Sequence, residues 1–224
     1  MGLILNLETT TKNCSVSLAK EGRTLACREL AENGFSHAEQ LQPFIDQVLI
    51  ESGYSLTDLE AVAISEGPGS YTGLRIGTSL AKGLCYALDV PLIAVDTLKA
   101  QAMQLDFTEG AIVSVIDARR MEVYQAIFDK DYRVIIPTTN HVIESDSYAD
   151  LLGNGKVYFI GDAIDKIKTI IKHPNAIFSD QTWPSAIQMT SLSFEKMQNK
   201  DFEDLAYFEP YYLKDFITMN PPPK

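Results

Sequence analysis

Residues 66–77 read Glu66-Gly67-Pro68-Gly69-Ser70-Tyr71-Thr72-Gly73-Leu74-Arg75-Ile76-Gly77. The stretch follows an apolar run, Leu59 to Ser65, that reads as a strand, and it opens a helical pattern from about Thr72 to Leu88. A strand, a glycine-rich turn and a helix in that order place backbone amides where they can cradle an anion. The glycine spacing misses the dinucleotide fingerprint by one residue, and the Lys-Ser/Thr pair of a P-loop is absent. A packing role competes with the phosphate role and is favoured. Gly73, Gly77 and Ala81 stand four residues apart, so they share one helix face and leave a smooth groove. A second helix can approach closely there, in the same chain or in a partner.

Outward from this stretch, β-type patterns precede it and β-α-β patterns follow. Leu3 to Leu7 reads as a buried strand, and Cys14 to Ala19 and Thr24 to Leu30 as two more around the Glu21-Gly22 turn. Ser36 and Glu39 have the spacing of a capping box. Leu41, Phe44, Ile45 and Val48 then form one apolar helix face, with a kink expected at Pro43. Pro91 to Val95 reads as a short buried strand and Thr97 as the start of another helix. Asp106 to Gly110 is polar and turn-like, and strands are expected again at Ala111 to Ile116, Glu122 to Phe128 and Tyr132 to Ile136. A turn, strand and helix follow over Leu151 to Pro174, and a helix over Pro184 to Met197. The order predicts an α/β fold with mixed sheets. Two lobes that each open with consecutive strands suggest a structural duplication, which sequence similarity between the halves is too weak to demonstrate. The lobes are expected at residues 1–106 and 107–224, with about 205–224 packing back on the body and Pro221 to Lys224 frayed.

Composition narrows the function. The 224 residues are 46% hydrophobic, enough for a buried core. A net charge of -11 repels phosphate backbones, so nucleic acid is expected to reach this chain only through a basic partner. Lys166, Lys168 and Lys172 read as one solvated helix face. The three cysteines, Cys14, Cys27 and Cys85, are far apart and suggest neither a zinc site nor a disulfide framework. With no secretory signal and no membrane-length apolar run, a cytoplasmic protein without membrane contact is expected. No G-x-S-x-G, H-E-x-x-H or Cys-His context marks a nucleophile, so nothing supports a protease.

The stretch from Gly67 to Gly77, with Ala81-Lys82-Gly83-Leu84, resembles the signature of the TsaB (YeaZ) family. The resemblance extends to Leu5 to Thr10, Cys14 to Val16, Ser36-His37 with Leu41 and Pro43, and Pro91 to Leu98. It continues through Ile116 to Arg119, Glu122-Val123-Tyr124 and Glu209 to Leu213, in family order over nearly the whole chain. What it implies is an actin-like ATPase (ASKHA) fold of two ribonuclease-H-like lobes. The implied role is that of a non-catalytic scaffold that binds and activates TsaD, joined by the ATPase TsaE, for threonylcarbamoylation of the tRNA adenosine 3′ of the anticodon. TsaD carries two metal-binding histidines four residues apart, and the matching positions here are Thr97 and Gln101. No metal, cofactor or catalytic residue is therefore expected.

The nucleotide-site positions implied by the resemblance are Glu8, Thr9, Thr10, Asp117 and Gly161, and they are degenerate. Neither Glu8 to Asn13 nor Asp117 to Met121 contains glycine, Glu8 stands where relatives commonly have Asp, and the glycine pair is reduced to Gly161-Asp162. For the partner interface, Leu41, Phe44, Leu74, Gly77, Thr78 and Ala81 are the expected close contacts, with His37 and Arg75 at the rim. Periodicity does not separate this from burial of half of them inside the first lobe. Alone, the chain is expected to pair with itself through the same groove. An actin-like small-molecule kinase or hydrolase, or a free-standing homodimeric interaction protein, are the alternatives.

Overall fold

The computed structural model describes residues 2–31, 37–181 and 183–214. The first sheet contains β1 (Leu3–Glu8), β2 (Asn13–Lys20), β3 (Arg23–Ala31), β4 (Ala61–Ser65) and β5 (Leu92–Val95), in the order β3-β2-β1-β4-β5. β1 is antiparallel to β2 and parallel to β4, which is parallel to β5. α1 (His37–Ser52) and α2 (Tyr71–Leu88) make the crossovers, and α3 (Thr97–Ala102) leads away. The second sheet contains β6 (Ala111–Asp117), β7 (Glu122–Asp129), β8 (Val134–Val142), β9 (Val157–Gly161) and β10 (Ala176–Phe178), with α4 (Ala149–Asn154) and α5 (Ile164–Ile170) between its later strands. Its order from the other edge is β8-β7-β6-β9-β10, with the same antiparallel and parallel pairings. Each strand of one sheet has a counterpart in the other. The two lobes are one topology used twice, the actin-like arrangement of two mixed sheets flanked by helices.

The central strands read as continuous apolar runs because both of their faces are covered. Leu3, Leu5 and Leu7 of β1 pack with Leu41, Ile45 and Val48 of α1, while Ile4 points the other way into a cluster with Ala186 and Met189 of α6 (Ala186–Asn199). β6 repeats the pattern, with Val113 and Val115 toward Ile164 and Ile167 of α5 and Ile112 and Ile116 toward Leu98 and Ala102 of α3.

α6 falls in the range 107–224 expected for the second lobe, yet it lies on β1, β2 and β5 of the first sheet. A sheet whose second face is apolar needs a cover, and the chain returns to supply one. The seam carries polar bonds besides: Ser193 Oγ donates to Asn6 Oδ1 at 2.7 Å, and Ser17 Oγ to the Ala186 carbonyl at 2.8 Å. Beyond α6 the chain stays on the body, with the Glu203 amide donating to the Leu92 carbonyl and Lys82 Nζ donating to the carbonyls of Ala206 and Phe208. The frayed tail expected at Pro221 to Lys224 and the Ser36 half of the capping box lie outside the described residues.

Two local expectations change. α1 runs unbroken through Pro43, which sits on the exposed side of the helix. The strand expected at Tyr132 to Ile136 runs from Val134 to Val142 with Pro137 inside it. β8 is the sheet edge, where a residue without an amide costs no ladder bond on the open side. Among the described residues no helix is long and apolar enough to cross a membrane.

Candidate functional site

The glycines of residues 66–77 serve packing. A Cβ at Gly69 would stand 2.3 Å from the Thr10 carbonyl oxygen, one at Gly73 2.0 Å from the Thr9 carbonyl oxygen, and one at Gly77 2.3 Å from Thr9 Oγ1. The small face of α2 is pressed against the β1–β2 turn. Polar bonds finish the joint: the Ser70 amide donates to the Thr10 carbonyl at 2.6 Å, and Thr9 Oγ1 to the Gly73 carbonyl at 2.8 Å. Ser70 caps α2 by accepting from the Gly73 amide at 3.3 Å. The Gly67, Ser70 and Gly73 amides of a would-be phosphate cradle are used inside the protein.

Glu8 is sealed beneath this joint with no measurable exposure. Its Oε1 accepts from the Thr10 amide at 2.6 Å and from Thr10 Oγ1 at 2.5 Å. Burial raises its pKa above the ordinary carboxylate value, with the hydroxyls of Ser65 and Thr10 opposing that rise. A carboxyl in that state does not reach outward to a metal-bound phosphate.

A cleft of about 820 Å³ opens between the lobes. Thr10, Lys12 and Tyr71 line it from the first lobe, Asp117, Arg119 and Arg120 from the second, and residues 211–214 run along it. Of the five degenerate nucleotide-site positions, Thr10 and Asp117 face this space, and Glu8 and Thr9 are buried below it. Gly161 is also buried, and a Cβ there would stand 1.8 Å from the Val115 carbonyl oxygen. Asp162 takes the Asp117 amide at 2.6 Å, and its carboxyl is pushed up to about 6 by burial, with the Asp117 charge adding to the rise.

The β6–β7 turn is the second wall. Asp117 Oδ1 accepts from the Arg119 amide at 2.6 Å and from Lys166 Nζ at 3.1 Å. Lys166 also donates to the carbonyls of Arg120 and Glu122, so it pins the turn instead of forming part of a solvated lysine face. Arg119 and Arg120 have φ of 72° and 51°. Two consecutive non-glycine residues in the left-handed region cost roughly 1–2 kcal/mol each. Lys214 closes the cleft's edge by donating to the Ala118 carbonyl at 3.1 Å and to Glu122 Oε2.

The expected interface residues lie elsewhere than at a surface. His37, Leu41, Phe44, Leu74, Gly77, Thr78 and Ala81 are all buried within this chain, and Arg75 alone of that group is exposed. Leu41, Phe44 and Ala81 belong to the first-lobe core. His37 Nε2 donates to the Thr11 carbonyl at 2.8 Å, and burial lowers its pKa. The groove of α2 is already filled by the chain's own hairpin. The outward face of α2 carries Arg75, Ser79, Gly83 and Tyr86. Nothing lies within 4 Å of a Cβ at Gly83, and Tyr86 is 83% exposed. A mid-helix glycine costs roughly 0.5–1 kcal/mol relative to alanine, and no contact among the described residues requires it.

Thr97 and Gln101 are committed inside the fold. Thr97 Oγ1 shares a 2.6 Å hydrogen bond with Ser65 Oγ and accepts from the Gly67 amide at 3.0 Å, and Gln101 Nε2 donates to the Val115 carbonyl at 3.3 Å. No group of metal-ligating side chains occurs among the described residues. Lys12, Arg119, Arg120 and Lys214 were not singled out by sequence, although arginines at a turn that favours glycine or asparagine were a readable signal. Gly83 and Tyr86 were missed because helical periodicity marks the apolar face, and they lie on the other.

The family model described as TsaD, tRNA N6-adenosine threonylcarbamoyltransferase, matches residues 31–220. The tRNA threonylcarbamoyladenosine biosynthesis protein TsaB of Haemophilus influenzae is 31% identical over 229 residues, covering 96% of this chain and 94% of that protein. TsaB of Escherichia coli is 40% identical over 130 residues, covering 57% of this chain and 55% of that protein. Among solved structures, a Pseudomonas aeruginosa protein with similarity to the peptidase YeaZ superposes with a TM-score of 0.84 at 26% identity, covering 96% of this chain and all of that one.

Proposed function

The chain belongs to the TsaB (YeaZ) family of tRNA threonylcarbamoyladenosine biosynthesis proteins, and from that premise we propose that it acts as a non-catalytic activator of the TsaD transferase subunit. The observation that carries this reading is the fate of Thr97 and Gln101. Where TsaD has metal-binding histidines, these side chains are buried and hydrogen-bonded within the fold. Internal use of the loop amides and the sealing of Glu8 point the same way. The cysteines are poor nucleophiles, because burial pushes Cys14 up to about 12 and Cys27 and Cys85 up to about 11.

The partner surface is the outward face of α2 with its neighbour α1. Gly83 leaves room for a second helix backbone, and Tyr86 on α2 and Ile50 on α1, 83% and 79% exposed, supply apolar area. Arg75 marks one end of the face and is held over the Tyr71 ring at 5.1 Å. The same exposed side chains favour self-pairing when TsaD is absent, so one face serves the homodimer and the heterodimer in turn. TsaE joins the heterodimer, and tRNA is held chiefly by the partner.

Reconstitution tests this. tRNA modification by TsaD, TsaE and the adenylate synthase is measured with and without this chain, and with Gly83→Arg. Modification is expected to need the wild-type chain and to drop at least about tenfold with the variant, a loss of roughly 1.4 kcal/mol in complex stability. Equal activity without the chain defeats the activator role. Full activity with a folded Gly83→Arg defeats the assignment of the face.

A further inference from the structure

Three cations at the mouth of the cleft form no close ion pair among the described residues, although Arg120 lies near enough to Glu122 to help lower its pKa. Lys12 lines it from the first lobe and Arg119 and Arg120 from the second, and among the described residues their side chains make no hydrogen bond or ion pair. Nearby acids are already engaged: Asp117 with the Arg119 amide and Lys166, Asp162 with the Asp117 amide, Glu122 with Lys214. The unpaired side chains occur in a chain of net charge -11, where acidic residues outnumber basic ones. Arg119 and Arg120 also hold left-handed backbone, a conformation that glycine or asparagine would adopt more readily. An outlier retained with long charged side chains points to a use for the charge. At the same opening the Tyr212 ring lies tilted by 42° against Tyr71 with centroids 5.1 Å apart, and Tyr212 is 38% exposed.

We propose that the cleft mouth docks the phosphodiester backbone of a single-stranded RNA segment, with Lys12 on one wall and Arg119 and Arg120 on the other taking phosphates, and Tyr212 offering its outer face to a base. The proposal rests on the reading that this chain works in tRNA modification, and it adds a direct contact to the indirect one expected from net charge. Two physical points favour a strand over a free nucleotide. A compact polyphosphate is held by amides converging on one point, and here the amides of Thr10, Ser70 and Gly73 are spent within the fold. The charges sit instead on long side chains on two facing walls, as in a groove that tracks a backbone. The chain's overall negative charge does not forbid this. At physiological salt a charge beyond about 8 Å is largely screened, so the groups lining the cleft decide, where four cations stand against three carboxylates.

The test is fluorescence anisotropy of a labelled single-stranded anticodon-loop RNA on the full chain across a salt series. Three phosphate contacts give a slope of log K against log salt near about -2, at roughly -0.7 per contact on a single strand. The double variant Arg119→Asn, Arg120→Gly suits the turn's backbone and removes two of the charges. Its slope is expected to fall toward about -0.7, with binding weakened about tenfold or more at low salt. Lys12→Ala lowers the slope by one contact from the opposite wall without touching the turn. An unchanged slope in the folded double variant overturns the proposal, and so does displacement of the RNA by equimolar ATP, which assigns the site to free nucleotide. TsaD capture by wild type and variant is measured alongside. Loss of capture by the wild-type chain counts against the activator reading and leaves the RNA result standing.

Discussion

The β1–β2 and β6–β7 turns occupy equivalent places in two sheets of the same strand order, and they have opposite environments. The first is sealed except at Lys12: Glu8 and Thr9 have no exposure, and α2 is pressed onto the turn through Gly69, Gly73 and Gly77. The second is open: Arg119 and Arg120 stand exposed on left-handed backbone, pinned from behind by Lys166 and Asp117. The family resemblance implies that both turns would face a nucleotide site. In this chain the first turn is buried except at Lys12, which still lines the cleft, and the second is exposed at both arginines, so a duplicated topology does not carry a duplicated environment. Burial decides which copy retains groups that a ligand can reach.

The strongest way to break this contrast is Gly73→Ala. The added Cβ would meet a backbone carbonyl at 2.0 Å, and a fold cost of about 3 kcal/mol or more is expected in urea unfolding. An unfolding midpoint equal to that of wild type would mean the first turn is not packed against α2.

Glu8→Gln sharpens the same point through pH. The Glu8 carboxyl is raised above its ordinary 4.5, so the folded state binds its proton more tightly than the unfolded state does. Stability from this group is full below the ordinary value and is lost as pH rises through the folded one. The glutamine variant should therefore gain on wild type as pH increases from 4 to 8. Parallel stability curves for the two proteins would place Glu8 in contact with water.

In the open turn, Arg120→Gly relieves a left-handed residue and is expected to raise stability by about 1 kcal/mol, read from thermal unfolding. A loss there would show that the arginine side chain packs. Gly83→Ala is the smallest effect and the control for all glycine arguments. With nothing near its Cβ, it should stabilise the isolated chain by about half a kcal/mol. Any destabilisation would mean that the outward face of α2 is occupied within the chain.

Much of this was legible in the residues themselves. Apolar runs at Leu3 to Leu7 and Ala111 to Ile116, the turn residues between them and the helical spacing of residues 72–88 specify elements because backbone period and side-chain polarity are local properties. Motif blocks in family order sufficed for the family, and the absence of histidines at Thr97 and Gln101 was visible at once. What the tertiary structure alone decided is which face of each element meets water. The stripe of Gly73, Gly77 and Ala81 has the same spacing whether its partner is a foreign helix or the chain's own hairpin, and only the fold shows that Thr9 fills it. α6 joins the first lobe although it lies beyond the second in sequence, because the uncovered face of β1 exerts its demand through space and not along the chain. The cations Lys12, Arg119 and Arg120 are scattered in sequence and gather only when two sheets close on one cleft. Periodicity reports that a residue has a side to turn inward, and long-range packing decides what it finds there.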